Sequence, residues 1–556
     1  PFPIPSYSLF RFSMRHLLPV TMAEGFNPSC AEHTNIQRFT RISLLGMMVA
    51  FSMLFGATSA FAQNVNVNPG AGTYPTLKAA FDAINAGTHT GAITIDIVNN
   101  TSEGATADLA ASGVGAASYT SILIQPSGGA WRTITGSIAG PLINLNGADN
   151  VTIDGLNTGG NSLTIANTST GLGSAIQFIG DASSNTIQND TIKGSSASAA
   201  GAVILFSTGT TTGNDGNNVN HCSITAAGTN LPVNGIMSTG TSTSIDNSGN
   251  IINLNNIYDY FSATSAAQGI NITFSGGSSA WTITNNRLYQ TANRITTSAG
   301  ITHSGIFIGT GSGYTITGNI IGFANASGTG TTNMAGIASG ALSGTFPSSY
   351  TLGTAVLANT RYVALNCAFT TAGTVSEIQN NTIGGFALLT SSGASTSNGI
   401  WCGINIVSGN ANIGTTTGNT IGATTGSGSI YTACSTTGGT AVGIYATTTN
   451  SVSIQNNSIG AFDAVGTTAT TTGGFTGIDG AGTAGVLSIT NNNIGNASAD
   501  NIRTGYTLLS GNLSNAGVLT SSTGATSAIV GARSSSTGTP LAITGNTLRG
   551  WATSGT

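Results

Sequence analysis

The sequence predicts an all-β protein, a right-handed parallel β-helix (β-solenoid) of about a dozen coils with a short N-terminal capping helix. Three observations predict this fold. A short phrase with two asparagines recurs along the chain, and a second phrase built around Gly-Ile alternates with it. After residue 62, sustained helical periodicity occurs in one segment alone, residues 72–85.

The first phrase is "VSIQNNSIGAF" at 452–462, with close relatives at 314, 376, 487 and 541. Val452 and Ile454 alternate with polar residues, which predicts a short strand with one apolar face. The asparagine pair that follows ends the strand, because asparagine tolerates left-handed backbone angles better than other residues with a side chain. Ile459 then resumes the inward face. The phrase therefore predicts two short strands joined at a sharp corner.

The asparagine before the last aliphatic residue marks each copy of this phrase. Successive markers are 30–38 residues apart except for gaps of 62 and 54, which indicate an insertion or a degraded copy. Stacked coils would place these side chains above one another, so that their amides bond from coil to coil. The predicted structural ladder comprises Asn256, Asn286, Asn319, Asn381, Asn419, Asn457, Asn492 and Asn546.

The second phrase includes "QGINITF" at 268, "SGIFIG" at 304 and "VGIYAT" at 442. Each unit therefore holds at least two strands of four or five residues between turn-rich loops. Such strands suit a coil that stacks on its predecessor in parallel sheets. Right-handedness is expected from strand twist and crossover statistics. A leucine-rich or helical repeat is disfavoured because the helical period is missing.

The chain divides into three predicted regions. Residues 1–62 form a leader, in which Arg38 and Arg41 precede an apolar run that ends in Ala-Phe-Ala; this predicts an export signal cleaved after Ala62. A transmembrane anchor is the alternative, which the serines and glycines in the run disfavour. Residues 1–37 are expected to be untranslated or disordered, with translation starting at Met14 or Met22. No later segment is apolar enough to predict an integral membrane span in the mature chain.

Residues 63–100 form the predicted N-terminal cap and residues 101–556 the β-helix repeats. The cap contains a predicted helix at 76–85, with Thr76 as its N-cap. Leu77, Ala80, Phe81 and Ile84 would lie on one face of this helix. An amphipathic helix here would cover the apolar surface and unpaired strand edges of the first coil.

Composition excludes several classes of function. Charged residues make up 5% of the 556, glycine contributes 79 positions, and the net charge is −4, so no basic stripe predicts nucleic-acid binding. No fingerprint for a cofactor occurs in a suitable context. The cysteines after the leader have neither metal-ligand nor C-x-x-C spacing, and they are expected either to form disulfides that spacing cannot assign or to be buried free thiols.

The segment "YPTLKAAFDAIN" (74–85), followed by "GAITIDIVN" (91–99), resembles the N-terminal entry of pectin-lyase-like right-handed β-helices. That superfamily includes pectate lyases, pectin methylesterases and polygalacturonases, and its repeats are similar to the I-x-N-N-x-I phrase. The whole chain is most similar to long exported, adhesin-like β-helix proteins of Gram-negative surfaces. Many of these carry a C-terminal sorting or anchoring domain, so the C-terminus is expected to be truncated here.

The resemblance implies a fold more strongly than an activity. The N-T-D, D-D, G-H-G and R-I-K phrases of polygalacturonases do not occur. A pectate-lyase-like site needs several carboxylates around Ca²⁺, and the best candidate ligands are Asp149, Asp154 and Asp181. Asp149 and Asp154 would face opposite ways in one strand, and Asp154-Gly155 is typical of a turn. Surface and turn roles are therefore the favoured alternative.

A second candidate site is aromatic. Tyr258 and Tyr260 in "NIYDYF" alternate, which predicts a platform for sugar stacking on one strand face. Arg287 and Tyr289 could add a polar groove beside it. An outward strand face or packing under a loop is the plainer alternative.

These observations predict a secreted or cell-surface protein with a structural or adhesive role. Its partners would be polysaccharides or cell-surface glycans, contacted weakly over long polar faces. The alternative function is a polysaccharide lyase or glycoside hydrolase on the same scaffold, for which no catalytic residues can be named. The sequence does not predict an oligomeric state.

Overall fold

The structure is a computed structural model that describes residues 63–556, except 71–72, 158–161, 274–276, 394–397, 482–486, 498, 508–511, 514–518, 522–528, 538 and 555–556. The predicted leader and its cleavage site lie outside the described residues. Short strands dominate the described part, and they assemble into three long sheets with parallel pairing throughout. The predicted right-handed parallel β-helix is confirmed.

The described strands follow a fixed order around each coil, through sheets 1, 2 and 3 in turn. Sheet 1 contains 14 described strands: Gln63–Val67, Thr90–Ile97, Ser118–Pro126, Val151–Asp154, Thr186–Gln188, Asn218–Asn220, Ile251–Asn253, Thr282–Thr284, Thr315–Thr317, Ser376–Gln379, Ala411–Ile413, Val452–Gln455, Leu487–Thr490 and Leu541–Thr544. Sheet 2 contains 13 described strands: Thr101–Glu103, Arg132–Gly136, Leu163–Asn167, Asp190–Gly194, Ser223–Ala226, Asn256–Tyr258, Arg287–Tyr289, Ile320–Gly322, Thr382–Gly384, Thr420–Gly422, Ser458–Gly460, Asn493–Gly495 and Thr547–Arg549.

Sheet 3 closes the coil, and its 12 described strands agree with the predicted dozen coils. They are Ala107–Ala110, Ile143–Asn146, Ile176–Ile179, Ile204–Phe206, Asn234–Ser238, Gln268–Ile272, Ile301–Ile308, Thr360–Ala368, Trp401–Ser408, Gly439–Ala446, Gly473–Gly480 and Ile529–Ser534. A two-stranded parallel ribbon, Asn247–Ser248 with Ser278–Ser279, lies in the turns after sheet 3, and Ser127–Gly129 form a single 3₁₀ turn after the third strand of sheet 1.

The core lies inside the coils and is built by columns of identical side chains. In sheet 1, Ile413, Ile454 and Ile489 are in register on successive coils, and Ile421, Ile459 and Ile494 repeat this in sheet 2. All six are buried, whereas Ser453, which alternates with the inward residues, is half-buried. The period-2 pattern of the repeat therefore fills the interior with stacked aliphatic groups.

The Gly-Ile phrase has a packing reason in sheet 3. A Cβ atom added to Gly443 would lie 2.8 Å from Cγ2 of Ile459, and one added to Gly477 would lie 2.8 Å from Cγ2 of Ile494. The glycines therefore let sheet 3 approach the isoleucine column of sheet 2 closely. The two repeated phrases are complementary halves of one packing contact.

The corner between sheets 1 and 2 carries a continuous column of buried asparagines, which we call the asparagine column. The backbone N–H and the side-chain Nδ2 of Asn419 both donate to Oδ1 of Asn457, at 3.0 and 2.8 Å. Asn457 donates in the same way to Asn492, at 3.0 and 2.9 Å. At this corner the residues bonded in this pattern are Asn255, Asn286, Asn319, Asn381, Asn419, Asn457, Asn492 and the half-buried Asn546. Among the described residues, two shorter runs with the same pattern lie in the turns between sheets 3 and 1: Asn185 with Asn217 and Asn250, and Asn214 with Asn247.

The column contains Asn255 at this position, so the prediction of Asn256 is wrong by one residue. Asn256 opens the next strand, where its side chain is half-buried and in register with Ser223 and Arg287. The two adjacent asparagines in "NLNNIY" made the marker ambiguous. In most other copies the first asparagine of the pair, such as Asn456 at φ 58°, takes the left-handed turn, and the second joins the column.

The N-terminal helix spans Leu77–Asn85, with Thr76 as N-cap: Thr76 Oγ1 accepts from Ala79 N at 3.1 Å. Its buried residues are Leu77, Ala80, Phe81 and Ile84, the predicted apolar face. The side chain of Asn85 bonds to both Asp108 O and Ala110 N, at 2.8 and 3.0 Å, on the first strand of sheet 3. The helix thus satisfies backbone groups at an edge of the β-helix and confirms the predicted capping helix.

One anchor of this helix, the buried carboxylate of Glu103, was not predicted. Its two oxygens accept from Leu77 N at 2.9 Å and Lys78 N at 3.0 Å. Thr101 Oγ1 donates to the same carboxylate at 3.1 Å. Negative charge is favourable beside unpaired amides at a helix N-terminus, so Glu103 joins the cap to the first strand of sheet 2.

From residue 294 onward the coils carry a fourth sheet between sheets 2 and 3. Its described strands are Arg294–Thr296, Thr332–Ser339, Phe386–Thr390, Ile430–Cys434, Phe462–Gly466, Ile502–Thr507, Thr520–Ser521, Val356–Leu357 and Trp551–Thr553. A hairpin, Ser343–Thr345 with Ser349–Thr351, covers part of the outer face of this sheet. There Tyr350 packs in a second apolar cluster with Leu389 and Tyr431.

This hairpin explains the marker gap of 62 residues as an insertion between Asn319 and Asn381. The gap of 54 residues contains Leu513, which packs in the same cluster and donates its N–H to Pro347 O at 2.8 Å. The two longest units of the repeat therefore meet outside the coil, over sheet 4.

Candidate functional surface

The predicted aromatic site divides between the surface and the core. Tyr258 and Tyr289 are in register on adjacent strands of sheet 2, with ring centroids 5.0 Å apart and an interplanar angle of 4°. One face of each ring is therefore covered by the other, and Tyr289 is only 9% exposed. Hydroxyl groups and ring edges, rather than an open platform, are what this pair can present.

Tyr260 does not belong to this pair, so the prediction that it alternates with Tyr258 on one face is wrong. The strand ends at Tyr258, and Asp259 adopts a left-handed conformation at φ 56°. This residue breaks the alternation and turns Tyr260 into the core, where it is buried. Burial raises the pKa of Tyr260 far above its ordinary value, and a hydrogen bond with Tyr362 opposes that rise.

Arg287 lies on sheet 2 near the pair, in register with Asn256 and Ile320. Its Nη1 donates to the carbonyl of Asn285 at 3.2 Å, in exposed surroundings. Burial raises the pKa of Tyr258, with a hydrogen bond from Thr225 opposing the rise and the Asp259 charge adding to it. Tyr258, Tyr289 and Arg287 together form a small, mostly uncharged polar patch.

A partly buried ion pair involves Asp259, the residue that follows Tyr258. Arg294 Nη2 and Asp259 Oδ1 are 2.5 Å apart, and Thr291 donates to the same carboxylate through its N–H and its hydroxyl at 2.9 and 2.7 Å. Arg294 Nε also donates to Gln290 Oε1 at 2.6 Å. Every charged group in this network is engaged by neighbours, which suits a structural clamp between coils.

His303 lies next to this clamp and is buried. Its ring stacks on Phe261 at 5.1 Å and its nitrogens contact Ala267 N at 3.2 Å and Thr296 Oγ1 at 3.0 Å. Burial lowers the pKa of His303 to about 3, so the imidazole is neutral at physiological pH. The small cavity between His303, Tyr260 and Tyr289 measures about 10 Å³, enough for a single water at most.

The three predicted calcium ligands do not converge. Asp154 accepts from Leu156 N, Asn189 Nδ2 and Gln188 Nε2 at 2.7–2.9 Å. These bonds give Asp154 the turn role that the sequence favoured over calcium binding. Asp149 accepts from Ser183 N at 2.7 Å. Among the described residues, no group of three or more His, Cys, Asp or Glu side chains is placed to hold a metal ion. The geometry therefore contradicts a shared calcium site for Asp149, Asp154 and Asp181.

Asp181 instead organises the loop of the next coil. Its carboxylate accepts from the N–H groups of Thr210, Thr211, Thr212 and Gly213 at 2.7–3.2 Å, and from the Thr210 hydroxyl. Partial burial acts to raise the pKa of Asp181, but these hydrogen bonds outweigh it and hold the pKa well below its usual range. Both oxygens of the Asp181 carboxylate are therefore occupied by hydrogen bonds within the fold.

Asp190 occupies an unexpected position in line with the asparagine column. Thr191, Ser223 and Asn256 are in register, so Asp190 and Cys222 precede Asn255 in the same column. Asp190 is fully buried, and burial raises its pKa well above the ordinary value, with the nearby Asp154 charge adding to the rise. A protonated Asp190 is close in shape and bonding capacity to asparagine.

The described cysteines Cys222, Cys367, Cys402 and Cys434 are free and buried. Burial raises the pKa of each thiol, to about 11 for Cys434. Protonated, inaccessible thiols are poor nucleophiles. Their role here is packing.

A larger opening lies elsewhere, in the turns from sheet 3 to sheet 1. This polar cleft measures about 230 Å³ and is lined by residues including Asp246, Ser279, Thr310, Ser312 and Thr370. Sequence reasoning missed it because its residues come from separate coils and share no repeated phrase. A carboxylate in a run of hydroxyl-rich turns is the one signal that the sequence offered.

Within the described residues, we find no helix with the length and apolar character needed to cross a bilayer. No family model and no curated protein matches the chain. Among solved structures, the chain is similar to PfbA, a surface adhesin of Streptococcus pneumoniae, with a TM-score of 0.36 and 11% identity over 74% of this chain and 93% of that one. Because the TM-score and the sequence identity are this low, the function of the chain is judged from its own residues.

Proposed function

We propose that this chain is an exported, cell-surface or secreted β-helix protein with a structural and adhesive role, which contacts glycans through uncharged polar faces. The proposal rests on one observation: acidic side chains of the described part are engaged by hydrogen bonds within the fold. In the described part, Glu103, Asp154, Asp181, Asp259 and Asp463 each accept hydrogen bonds from within the fold.

The outward surface left by this arrangement consists largely of hydroxyl and amide groups. Such groups exchange hydrogen bonds with sugar hydroxyls at little desolvation cost, and many weak contacts along a long repeat add up through multivalency. The patch of Tyr258, Arg287 and Tyr289 is proposed as one contact point through its tyrosine hydroxyl groups, at which the Arg287 guanidinium adds a single charged donor to an otherwise uncharged face. Export through a signal cleaved after Ala62 belongs to the same proposal.

The binding experiment uses the mature chain on plates coated with neutral or acidic polysaccharides. We expect retention that changes little between about 0.15 and 1 M salt, because uncharged contacts are not screened as ion pairs are. Retention that high salt abolishes would contradict the uncharged-face argument. Absence of retention on every polysaccharide would overturn the adhesive role.

An assay for cleavage tests the enzymatic alternative on the same samples. A lyase would release unsaturated products and a hydrolase new reducing ends. We expect neither, with or without added calcium. Product release that follows protein concentration would replace the adhesive proposal with a catalytic one.

A further inference from the structure

We propose that the polar cleft between sheets 3 and 1, centred on Asp246, binds one neutral saccharide ring by accepting hydrogen bonds from its hydroxyl groups. This inference deepens the proposed glycan contact and rests on it. It assigns the ligand class to a specific place in the fold.

The cleft has the size and composition for such a ligand. Its volume of about 230 Å³ is below the roughly 300–1,000 Å³ of pockets for drug-sized ligands, so one ring is the largest unit that fits inside. Thr243, Ser279, Ser312 and Thr370 line it with hydroxyl groups, and Asp246 contributes the carboxylate among the lining residues. Hydroxyl groups can both donate and accept, which matches the alternating demands of a sugar.

The walls of the cleft are held in place by backbone contacts. Tyr314 is buried beneath it, and its hydroxyl lies 2.8 Å from Ser278 O and 2.9 Å from Thr310 O. Thr370 N donates to Gly311 O at 2.6 Å, while Gly311 N donates to Thr370 Oγ1 at 3.0 Å. A ligand that enters would meet an ordered surface, which lowers the entropy cost of binding.

Glycine is needed where these walls meet. Gly311 has φ 82°, and a Cβ atom there would lie 1.7 Å from the carbonyl oxygen of Ser278. A Cβ atom on Gly277 would lie 1.8 Å from the carbonyl oxygen of Ser242. The turns of successive coils therefore touch through their backbones, and the polar side chains border the opening that remains.

Asp246 is the acidic group among the residues that line this cleft. Ser279 Oγ donates to its Oδ2 at 2.5 Å, and both side chains line the cleft. A carboxylate accepts stronger hydrogen bonds than a neutral oxygen, so sugar hydroxyls are suitable donors to it. Asp215, whose carboxylate accepts from Ser248 N at 2.6 Å, lies on the preceding coil and adds negative charge nearby.

This local negative charge selects against anionic ligands. Uronic acids, phosphates and sulfated sugars would be repelled by Asp246 and Asp215. No described group of three metal-ligating side chains surrounds the cleft, which disfavours a calcium-mediated contact. Neutral hexoses and N-acetylhexosamines are the classes that remain.

The test is saturation-transfer NMR on the mature chain with glucose, galactose, mannose and N-acetylglucosamine, and with galacturonate as the anionic probe. We expect at least one neutral sugar to bind, and galacturonate to bind at least tenfold more weakly. Asp246→Asn should weaken neutral-sugar binding at least tenfold while keeping the shape of the side chain. Ser312→Ala, a smaller change in the same cleft, should weaken binding severalfold.

The matched control is Asp215→Asn, which removes a neighbouring carboxylate that does not line the cleft, and it should change binding less than twofold. Equal sugar binding by Asp246→Asn and the parent chain would overturn the proposal that the cleft binds a saccharide. Binding that requires calcium, or that prefers galacturonate, would overturn it too. If the parent chain and Asp246→Asn are retained equally on polysaccharide plates, the cleft proposal is wrong and the proposed adhesive role stands. If the parent chain is not retained on any plate, the adhesive role itself fails.

Discussion

The corner between sheets 1 and 2 is nearly uniform along the β-helix, whereas the turns between sheets 3 and 1 differ from coil to coil. The corner is usually two residues long, as between Gln455 and Ser458, and an asparagine of the same column recurs from Asn255 to Asn546, buried as far as Asn492 and half-buried at Asn546. The turns range in length from 409–410 to 239–250, and they carry carboxylates, hydroxyls and the polar cleft. Some also contain buried asparagines that bond from coil to coil, namely Asn185, Asn217 and Asn250. The corner repeats one structural solution along the coil, whereas the turns combine shorter asparagine runs with exposed positions that can carry binding groups.

The largest expected effect comes from breaking the corner. Asn457→Ala removes the acceptor of two bonds from Asn419 and the donor to Asn492 and Ile413. Because these groups are buried and would be left unpaired, we expect a loss of about 3–5 kcal/mol in the free energy of unfolding. Denaturant unfolding followed by circular dichroism measures it.

The neighbouring residue supplies the control for this substitution. Asn456 has φ 58° and stands outside the column, so Asn456→Gly keeps the turn conformation and should cost less than about 1 kcal/mol. Equal losses for Asn456→Gly and Asn457→Ala would show that the column is not what stabilises the corner.

A smaller loss is expected from the turn that Asp181 organises. Asp181→Ala removes charge-assisted bonds to four consecutive amides, and we expect a cost of about 2 kcal/mol at neutral pH. Because the folded-state pKa of Asp181 lies below the ordinary value, this stabilisation is present above about pH 4 and is lost as the pH falls towards the folded pKa. Hydrogen exchange at Thr211 and Gly213 from pH 6 to 3 measures it, and unchanged protection in Asp181→Ala would contradict the assignment.

Asp190→Asn should act in the opposite direction and place a further asparagine in line with the column. The folded-state pKa of Asp190 is raised, so the parent protein loses stability as the pH rises from about 4 towards that folded pKa. Asparagine has no proton to lose, and we expect about 1–2 kcal/mol of added stability at pH 7 and none below pH 4. Unfolding midpoints at pH 3.5 and 7 test this, and a destabilised variant at pH 7 would contradict it.

The smallest expected effect on folding belongs to the cleft. Asp246→Asn keeps the side chain's size and its bond from Ser279, so we expect a change within about 0.5 kcal/mol in the free energy of unfolding. The same denaturant titration measures it. A loss comparable to that of Asp181→Ala would mean that Asp246 serves the fold instead of a ligand.

The same contrast explains what the sequence could predict. Residues such as Ile454, Asn457 and Ile459 lie in a local phrase that repeats, so their inward or corner positions follow from spacing alone. The prediction for Tyr260 is wrong because one left-handed residue, Asp259, reverses the alternation, and single residues of this kind leave no periodic signal. The prediction for Asn256 is wrong because adjacent asparagines fit the marker equally well.

The binding groups were harder to predict because they are not local. Asp246, Ser279, Ser312 and Thr370 come together only through the stacking of successive coils. Their distances depend on loop lengths that the repeat does not fix. For a similar reason Glu103 left no signal as a helix cap, since it lies 25 or 26 residues after the amides it accepts from.

Hydrogen–deuterium exchange of the mature chain, with and without a neutral sugar that binds it, tests most directly whether corners build and turns bind. We expect added protection in the turns that contain Asp246, Ser279, Ser312 and Thr370, and unchanged protection at the asparagine column from Asn255 to Asn546. Protection that spreads along the column, or that appears only around Tyr258 and Tyr289, would contradict this division between building corners and binding turns.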